Sequence, residues 1–508
     1  MKFSFLFLLT FSCLVGYTQK YAVTPLAEFK GKGIYNKSDA VYYKGKIYSI
    51  DITGRRQLAY TASLEKTNFS VSLNQFDASG NLLKEVKLGE GEDIFGPITP
   101  RYTILNDNLY LLYFTYNNET GMSMHLSAVN HETAEAALSK PLISINQKNI
   151  GVLKLTKLLN DYNVEMNVSP DGNRMAFVFT TGLTNMYSYA VADKNIQVVY
   201  AGTGEVDGEK TIMVANTIVT NGGDFYATMR TRTMESKMHY LVQGKELNKK
   251  VKSIELAQDG HKIYSASVVT GSTASTVNVI GVCGEEKSPL ISAMYTAPIN
   301  TLTLAIGNVK QQDIPEPLIK QFSKDGYGGK KGLFAYAKFA AYTLDDGTSF
   351  LLSDASRIWM TANRTLNFKG NILLGTFSPN GSISVGFISK RETYGGSFYN
   401  AFFVHNAGDK IHIVYTDSQE NLAKPVGEGA LVSYNSKKDN NLVVASIDGS
   451  GRVNRNVIDS KSPQGYFFEP GYCTSISKHK FQLSLAQEKI GLNNITTKNF
   501  LSLVEIEQ

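Results

Sequence analysis

The sequence has little of what usually marks an enzyme, a metalloprotein or a nucleic-acid-binding protein. Among 508 residues there are one tryptophan, three cysteines and seven histidines, and no two histidines have the HxxxH spacing of a metal site. There is no Gly-x-Ser-x-Gly sequence, and Gly328 to Gly332 lacks the spacing of a phosphate-binding loop. The formal net charge is only +6 and no long Lys/Arg run occurs, which argues against nucleic acid as a partner. We therefore predict no catalytic residue, no metal and no cofactor.

Long apolar runs are also missing after the N-terminus. Met1 to Thr18 reads as a signal peptide, because Lys2 precedes the apolar core Phe3 to Phe11 and a small-residue exit follows. That core is shorter than the roughly 20 residues that span a bilayer, so we expect no transmembrane segment in the mature chain. Lipidation at Cys13 is the alternative, but the bulky Phe11 disfavours it.

Only two cysteines remain after processing, Cys283 and Cys473. Both fall inside predicted strands of units that are far apart in the repeat order. We expect two buried free thiols and neither a disulfide nor a metal site.

What the sequence does contain is a repeated β pattern, clearest at Asn167 to Tyr200. A strand ends at Val168, a Pro-Asp-Gly-Asn turn reverses the chain, and Arg174 to Thr180 returns with alternating apolar residues. Two more strands and a second turn complete a four-stranded antiparallel meander. Within this unit Asp171 is interpreted as a turn residue. The sialidase-type Asp box is rejected because such boxes carry an aromatic residue, usually tryptophan, after the turn, and the single tryptophan, Trp359, lies outside any such turn.

The second strand of this unit recurs eight times, at intervals of roughly 50 to 70 residues. The eight copies are Lys46 to Asp51, Asn108 to Thr115, Arg174 to Thr180, Asp224 to Arg230, Thr276 to Cys283, Thr348 to Ser353, Lys410 to Thr416 and Lys480 to Ala486. Third strands follow all of them, and fourth strands follow seven, including those predicted at Ala136 to Ile143 and Leu302 to Ile306.

The eighth unit lacks a fourth strand, whereas the stretch Tyr21 to Phe29 is unassigned. The economical solution is ring closure, in which the N-terminal strand completes the last unit and removes its open edge. We predict an all-β protein, a β-propeller of eight four-stranded blades, with seven blades as the alternative. Residues 19–508 would form this single domain.

Two segments interrupt the repeat. Residues 152–159 are compatible with a strand extension or a short helix. The second segment, residues 307–334, is a long insertion in which Pro315 and Pro317 can open a helical turn through Phe322. A loop of this length in a compact fold is typically functional or mobile.

Three strings of sequence resemble a known group of proteins. They are NVSPDGNRMAF within Met166 to Phe177, AAYTLDDGTSFLLSD within Gly332 to Asp354, and TYGGSFYNAFFVHNAGDKIHIVYTDSQENL within Arg391 to Leu422. The chain resembles uncharacterised secreted β-propeller proteins of the Bacteroidetes type over most of its mature length. Because these motifs are strands and turns, the resemblance implies the fold and export and supplies no activity.

The same resemblance implies a compartment. Exported cargo of the type IX secretion machinery in such bacteria typically ends in a separate C-terminal β-sandwich signal domain, whereas here Asn499 to Gln508 are needed for the eighth blade. This favours the periplasm over the cell surface or secretion. A propeller could serve on the periplasmic side of the outer-membrane type IX machinery, which is an analogy of fold.

Polar groups in the loops between blades are candidate binding residues for a ligand or a partner. They are Arg55, Arg56, Arg230, Arg232, Arg357, Trp359, Arg391, Tyr394 and Asp417. Arginines grouped around a funnel with tyrosine and carboxylates would suit an anionic sugar or a carboxylate-bearing partner. The plainer interpretation is that each is a solvated loop charge.

His405 and His412 flank a short turn. On antiparallel strands they would face each other, and strand histidines are more often structural than metal ligands.

Two hypotheses for function follow. The first is a non-enzymatic periplasmic propeller that binds a protein, as a scaffold component of a cell-envelope complex, using its loop-rich face and the insertion. The second is a carbohydrate-binding or carbohydrate-active propeller whose arginine and tyrosine residues line a central funnel.

Overall fold

We analysed a computed structural model of the chain. The structure describes residues 21–24, 27–29, 40–53, 70–88, 100–117, 121–136, 139–145, 158, 162–231, 238–256, 260–271, 273, 275–334, 339–360, 365–395, 402–425, 441–459, 466–490 and 495–507. Of residues 152–159 only Leu158 falls in these ranges; it is helical, and its carbonyl accepts from the Tyr162 N–H at 2.8 Å.

The described residues form nine β-sheets, eight of which contain an antiparallel meander of at least four strands. The N-terminal strands are β1 (Tyr21–Val23) and β2 (Ala27–Phe29). Sheet 1 holds β3 (Val41–Tyr43), β4 (Lys46–Thr53), β5 (Ser70–Phe76) and β6 (Leu82–Lys87), and sheet 2 holds β7 (Arg101–Leu105), β8 (Asn108–Asn117), β9 (Gly121–Ala128) and β10 (Ile143–Ile145). Sheet 3 holds β11 (Asn163–Val168), β12 (Arg174–Thr180), β13 (Met186–Asp193) and β14 (Val198–Glu205). Sheet 4 holds β15 (Ile212–Val219), β16 (Phe225–Thr231), β17 (His239–Gly244) and β18 (Val251–Leu256).

The second half of the chain repeats the pattern. Sheet 5 holds β19 (His261–Thr270), β20 (Thr276–Glu285), β22 (Ala293–Asn300) and β23 (Lys310–Asp313), while β21 (Leu290–Ile291), β24 (Gly328–Gly329) and β25 (Gly332–Phe334) form the small ninth sheet. Sheet 6 holds β26 (Ala340–Thr343), β27 (Ser349–Met360), β28 (Thr365–Phe377), β29 (Ile383–Ile388) and β30 (Thr393–Gly395). Sheet 7 holds β31 (Phe402–Asn406), β32 (Lys410–Asp417), β33 (Asn441–Asp448) and β34 (Val453–Asp459). Sheet 8 holds β35 (Tyr466–Phe468), β36 (Thr474–Ser477), β37 (Lys480–Ile490) and β38 (Ile495–Ile506) together with β1 and β2.

Helices are few in the described residues. The α-helix α1 spans Glu316–Lys324, the short α2 spans Gln419–Leu422, and a 3-10 turn spans Pro470–Tyr472. All eight predicted second strands coincide with strands of the structure, so the repeat was read correctly.

Sheet 3 shows why these residues form meanders. Val168 pairs with Met175 and Asn163 with Thr180 along the first hairpin. Gly172 at the turn has φ of 73°, a conformation that glycine adopts without strain. The carboxylate of Asp171 accepts hydrogen bonds from the Ser169 hydroxyl at 2.6 Å and the Asn173 amide N–H at 3.0 Å. These bonds lower the pKa of Asp171 to about 2, as expected for a turn-capping carboxylate.

Consecutive sheets pack face to face through buried apolar clusters. One cluster joins Phe114 of sheet 2 to Phe177 and Phe179 of sheet 3, and comparable clusters join every other consecutive pair. A further cluster joins Leu501 of sheet 8 to Ile47 and Phe76 of sheet 1. The meanders are thus arranged like the blades of a propeller, and the last touches the first.

Amide side chains tie the inner strands of neighbouring sheets together. Asn216 of sheet 4 donates to the Val268 carbonyl and accepts from the Val268 N–H of sheet 5, both at 2.8 Å. Gln482 of sheet 8 donates to the Ala40 carbonyl beside sheet 1 at 2.8 Å. Each amide satisfies backbone groups that a sheet boundary would otherwise leave unpaired.

The N-terminal segment lies on the last strand, where the closure argument placed it. Tyr21 pairs with Ile506 and Val23 with Val504 in antiparallel register, and Ala27 pairs with Leu501. The outer edge of β38 is therefore covered by residues from the other end of the chain.

Two predicted fourth strands were misplaced. In sheet 5 the fourth strand is Lys310–Asp313, and the predicted Leu302 to Ile306 is instead a turn with one isolated bridge, Ile299 to Ile306. Leu304 adopts a left-handed φ of 61° there, which a regular strand does not permit. In sheet 2 the same happens at Ala134, with φ of 62°, so the fourth strand is displaced to Ile143–Ile145.

The insertion at 307–334 consists largely of a helix and a hairpin that pack on the sheets, rather than of an irregular loop. The predicted helical turn is α1, and Leu318, Ile319 and Phe322 on it are buried in the cluster between sheets 5 and 6. After the helix, β24 and β25 form a hairpin that pairs with Leu290–Ile291. Residues 307–313 belong to sheet 5 rather than to the insertion.

Candidate functional site

The nine predicted binding residues fall into three groups. Arg55, Arg56 and Arg232 lie outside the described residues. For Arg357, Trp359 and Tyr394 the strand position is described. For Arg230, Arg391 and Asp417 the side-chain surroundings are described as well.

Arg391 and Asp417 come together, but away from solvent. The Arg391 backbone N–H donates to Asp417 Oδ1 at 2.8 Å. Arg391 is 2% exposed and Asp417 is 0% exposed. Neither the solvated-charge interpretation nor an open funnel lined by these two side chains fits this burial. The sequence placed both in loops, whereas tertiary packing covers them.

They belong to a larger buried group that we call the ionic cluster. Its members come from four separate segments and are all less than 10% exposed: Tyr327, Asp354, Lys369, Lys390, Arg391, Glu392 and Asp417. Lys369 Nζ lies 3.2 Å from Asp354 Oδ1 as a buried salt bridge. The carboxylates of Asp354, Asp417 and Glu392 also act on the Lys390 ammonium, so the buried lysines lie among charges of opposite sign, as buried charges require.

Lys390 lies at the centre of this cluster. Its ammonium donates to the Arg391 carbonyl at 2.9 Å and the Thr393 hydroxyl at 3.3 Å. Burial lowers the pKa of Lys390 to about 8, although the carboxylates of Asp354, Asp417 and Glu392 oppose that shift. Its ammonium also donates to the Lys369 carbonyl at 3.4 Å, and its backbone N–H donates to Asn371 Oδ1 at 3.1 Å, so Lys390 joins the connection 389–393 to β28.

Asp417 closes the cluster on the sheet 7 side. Its Oδ1 accepts from the Ser418 N–H at 2.8 Å and from Asn421 Nδ2 at 2.9 Å, in addition to Arg391. Its Oδ2 has no hydrogen-bond partner in the described part of the chain. Burial raises the pKa of Asp417.

Tyr327 connects the insertion to this cluster. Its hydroxyl donates to Glu392 Oε1 at 2.6 Å, and its ring covers Gly370, where a Cβ would lie 2.8 Å from the ring. Position 370 therefore requires glycine because the Tyr327 ring leaves no room for a side chain, and not because of its backbone conformation. The connection from sheet 5 to sheet 6 and the connection from sheet 6 to sheet 7 are therefore fixed to each other.

Three other predicted residues lie on sheet 6, where its central hairpin extends past the neighbouring strands. β27 and β28 form a long hairpin that extends beyond sheet 6, and β30 pairs with this extension. Arg357 is opposite Phe368, and Phe368 is opposite Tyr394, so Arg357 and Tyr394 occupy one row across three strands. Trp359 follows two residues along, opposite Leu366. Five of the nine predicted residues thus gather on the sheet 6 hairpin and the adjoining end of sheet 7.

Arg230 is not part of this group. It lies on β16 of sheet 4, opposite His239 and Met213. Burial lowers its pKa. The convergence of arginines at one funnel, which the carbohydrate hypothesis called for, is not shown by the described residues.

The two strand histidines face each other as predicted, and their contacts are structural. His405 pairs with His412, and their ring centroids are 5.9 Å apart. His405 bonds to the Ser475 hydroxyl at 2.9 Å and the Lys478 carbonyl at 3.0 Å. Both histidines are 0% exposed, and burial lowers the pKa of His405 to about 4 and of His412 to about 3.

His412 also meets the N-terminal strand. Its Nδ1 lies 3.1 Å from the Tyr21 hydroxyl and 3.1 Å from the Ser446 hydroxyl, which are 2.6 Å from each other. The rings of Tyr21 and His412 pack edge to face at 5.9 Å between centroids. The strand that completes sheet 8 is therefore held by sheet 7 as well.

Sequence reasoning missed Tyr327, Asp354, Lys369 and Lys390. Three consecutive charged residues at 390–392 read as a solvated connection, and only their burial shows otherwise. Both cysteines are free, and Cys283 is buried in β20 as predicted, whereas Cys473 is half-buried and follows the 3-10 turn instead of lying in a strand. Within the described ranges, no three His, Cys, Asp or Glu side chains are grouped closely enough to hold a metal ion. None of the described helices has the length and apolar character to cross a bilayer.

Comparison with known proteins gives no family. No protein-family model and no curated protein matches the chain. Among solved structures it is similar to the polysaccharide lyase Uly1, at 11% identity and a TM-score of 0.38, covering 98% of this chain and 94% of that one. It is similar to an oligogalacturonate lyase in complex with manganese, at 10% identity and a TM-score of 0.32, covering 96% and 98%, and to Kuenenia stuttgartiensis hydrazine synthase, at 11% identity and a TM-score of 0.35, covering 70% and 95%. Overlaps this loose support no statement about activity. The class that the structure itself defines is a nearly all-β chain of meander sheets in a propeller-like arrangement.

Proposed function

We propose that the protein is a closed eight-bladed β-propeller of the periplasm that binds a protein partner, as a non-enzymatic component of a cell-envelope complex. The binding surface is the platform formed by the insertion (residues 314–334) and the sheet 6 hairpin (residues 349–377). Eight meanders, eight inter-sheet clusters and an N-terminal strand on sheet 8 support the closed ring. The sequence resemblance supports the compartment, and the type IX machinery is the complex it favours.

The observation that carries this proposal is an exposed aromatic residue, Phe334, on a hairpin that is fixed by its contacts with the ionic cluster. Phe334 is 46% exposed at the end of the insertion hairpin, and Lys330 and Lys331 beside it are exposed. The Phe334 N–H donates to the Tyr327 carbonyl at 3.1 Å, so Phe334 is attached directly to the residue that enters the ionic cluster. Exposed aromatic residues are enriched among those that dominate binding energy in interfaces.

The ionic cluster supplies the rigidity. Buried ion networks rarely stabilise a fold more than apolar packing would, so their presence calls for another role. Here the network fixes two inter-sheet connections against a long hairpin. A surface that is already ordered loses less conformational entropy on binding, which increases affinity.

The test is capture of a stoichiometric partner from detergent-solubilised envelope of the producing bacterium, with three purified baits. Wild type should retain the partner, and Phe334→Ser should lose it. Leu83→Ser is the matched control, because Leu83 is 49% exposed on sheet 1, and it should retain the partner. Recovery of wild type alone would refute the proposal, and so would equal capture by wild type and Phe334→Ser.

A second candidate function rests on the row of Arg357 and Tyr394. An arginine and aromatic residues on one edge of a hairpin are residue types that bind acidic sugars. Affinity electrophoresis in gels containing acidic polysaccharides tests it. Retardation of wild type that is lost in Arg357→Ala would favour carbohydrate binding, and unchanged migration of wild type in every gel would dismiss it.

A further inference from the structure

Two leucines protrude from neighbouring turns on sheets 4 and 5. Leu247 is 96% exposed and Leu302 is 71% exposed, the two highest values for large apolar side chains in the described residues. Both lie in the turn between the third and fourth strands. Such exposure contributes nothing to folding, since these side chains keep their contact with water.

The first turn is built to hold Leu247 outward. Lys249 adopts a left-handed φ of 54°, and its N–H donates to the Lys245 carbonyl at 2.9 Å. The Asn248 side chain accepts from the Lys250 N–H at 3.0 Å. The Glu246 N–H donates to Asp224 at 3.0 Å. Leu247 is the apolar tip of a turn fixed on both sides.

The second turn is attached to the first. Gln243, the residue just before this turn region, donates through Nε2 to the Thr301 carbonyl at 2.6 Å and to the Tyr226 hydroxyl at 2.9 Å. Asn300 Oδ1 accepts from the Leu302 N–H at 2.9 Å. The two leucines are therefore presented by one fixed unit.

Within the turn, the charges around Leu247 are mainly positive. Lys245, Lys249, Lys250 and Lys252 surround it in sequence, and the last three are exposed. The single carboxylate of the turn, Glu246, is already paired with Arg174 through two bonds of 2.8 and 2.9 Å. The lysines have no acidic partner within the turn.

We propose that this unit, residues 245–252 with Leu302, is a docking site for an anionic lipid surface. Aliphatic tips that protrude from rigid turns can enter the headgroup region of a bilayer. Lysines beside them are attracted to anionic headgroups, and their stems can lie along the apolar boundary. Protein interfaces instead place anchors in complementary pockets, whereas a lipid surface accommodates exposed leucines without such a pocket.

The site is independent of the platform. In sheet 5 the turn with Leu302 and the connection that carries α1 lie at opposite ends of the strand Lys310–Asp313. The chain would therefore contact a membrane at one end of its strands and a partner at the other. Failure of either proposal leaves the other standing.

Vesicle co-sedimentation of the full chain tests the site, with phosphatidylglycerol/phosphatidylcholine vesicles compared with pure phosphatidylcholine. Wild type should bind the anionic vesicles and not the neutral ones. Leu247→Ser should weaken binding at least about tenfold, as loss of a buried leucine implies. Lys249→Glu/Lys250→Glu should abolish binding. Leu83→Ser should bind like wild type.

Three results would overturn the proposal. They are absence of wild-type binding, equal binding to both vesicle types, and equal weakening by Leu83→Ser and Leu247→Ser. Salt-sensitive binding to a soluble polyanion with no vesicle binding would show that the lysines recognise acidic macromolecules instead. Thermal melting of each variant shows that it is folded, which is expected because both turns are on the surface.

Discussion

Acidification should destabilise the protein through His405 and His412. Both are completely buried, with pKa values lowered to about 4 and about 3, whereas an unfolded histidine titrates near about 6.5. Because the folded-state values are the lower ones, the unfolded chain binds more protons between these limits. The contribution of these two histidines to the free energy of unfolding is therefore fully present above about pH 6.5, and it decreases as pH falls toward 4.

The magnitude follows from the same values. At pH 5 the folded histidines are still neutral, and each unfolded histidine is stabilised by protonation by about 2 kcal/mol, from 1.5 units at 1.36 kcal/mol per unit. Together, the two histidines should lower the free energy of unfolding by about 4 kcal/mol between pH 7.5 and pH 5. The groups that face them are Tyr21, Lys410 and His479. After burial, repulsion from His479 on His405, and from His405 and Lys410 on His412, contributes to these lowered pKa values.

Urea unfolding at pH 7.5, 6.5, 5.5 and 5.0 measures this loss. His405→Gln/His412→Gln should be less stable at pH 7.5 and yet lose about 4 kcal/mol less than wild type on acidification. Phe481→Leu is the matched control, because Phe481 packs on the His405 ring at 5.0 Å without titrating. It should keep the wild-type acid sensitivity. Equal losses in wild type and the double variant would refute the reasoning.

Three further changes test other parts of the structure. Tyr21→Phe removes the hydroxyl that bonds to Ser446 and should lower the free energy of unfolding in urea by about 1 kcal/mol; no change would remove the role of this contact. Asp354→Asn leaves Lys369 buried without its ion-pair partner and should cost about 3 kcal/mol, with Asp354→Leu/Lys369→Met recovering much of the loss; equal stability of both variants would contradict this. Deleting residues 19–29 exposes the edge of β38 and should cause aggregation or loss of folding on gel filtration, whereas an unchanged melting temperature would defeat the closure argument.

The fold could be read from the sequence because its signals are local. Alternating apolar residues and turns such as Pro170 to Asn173 identify a hairpin without knowledge of the rest of the chain. The misplaced fourth strands show the limit. Leu302, Leu304 and Ile306 alternate as a strand does, but Asn300 caps a turn in which Leu304 takes a left-handed conformation. Nothing in the residue types signals that choice.

The candidate site was predicted less well because it is made by distant segments. Arg391 and Asp417 were named from sequence, but as loop groups available to solvent. The Arg391 N–H bonds to Asp417 from another sheet, and the adjacent Glu392 accepts from Tyr327 of the insertion. A run of charged residues such as 390–392 is usually solvated, and only the surrounding sheets reveal the exception.

Closure of the ring is the central claim, and a cross-link tests it directly. Ala22 is opposite Glu505 on β38, and antiparallel partners lie about 4.5 to 5.5 Å apart, within disulfide reach. Ala22→Cys/Glu505→Cys should oxidise to a circular chain with altered mobility on a non-reducing denaturing gel. Ala22→Cys/Lys480→Cys is the control, because Lys480 is one strand further away, about 10 Å from Ala22. A bond in the first variant alone is the predicted result, and no bond in the first, or equal bonds in both, would contradict the closed ring.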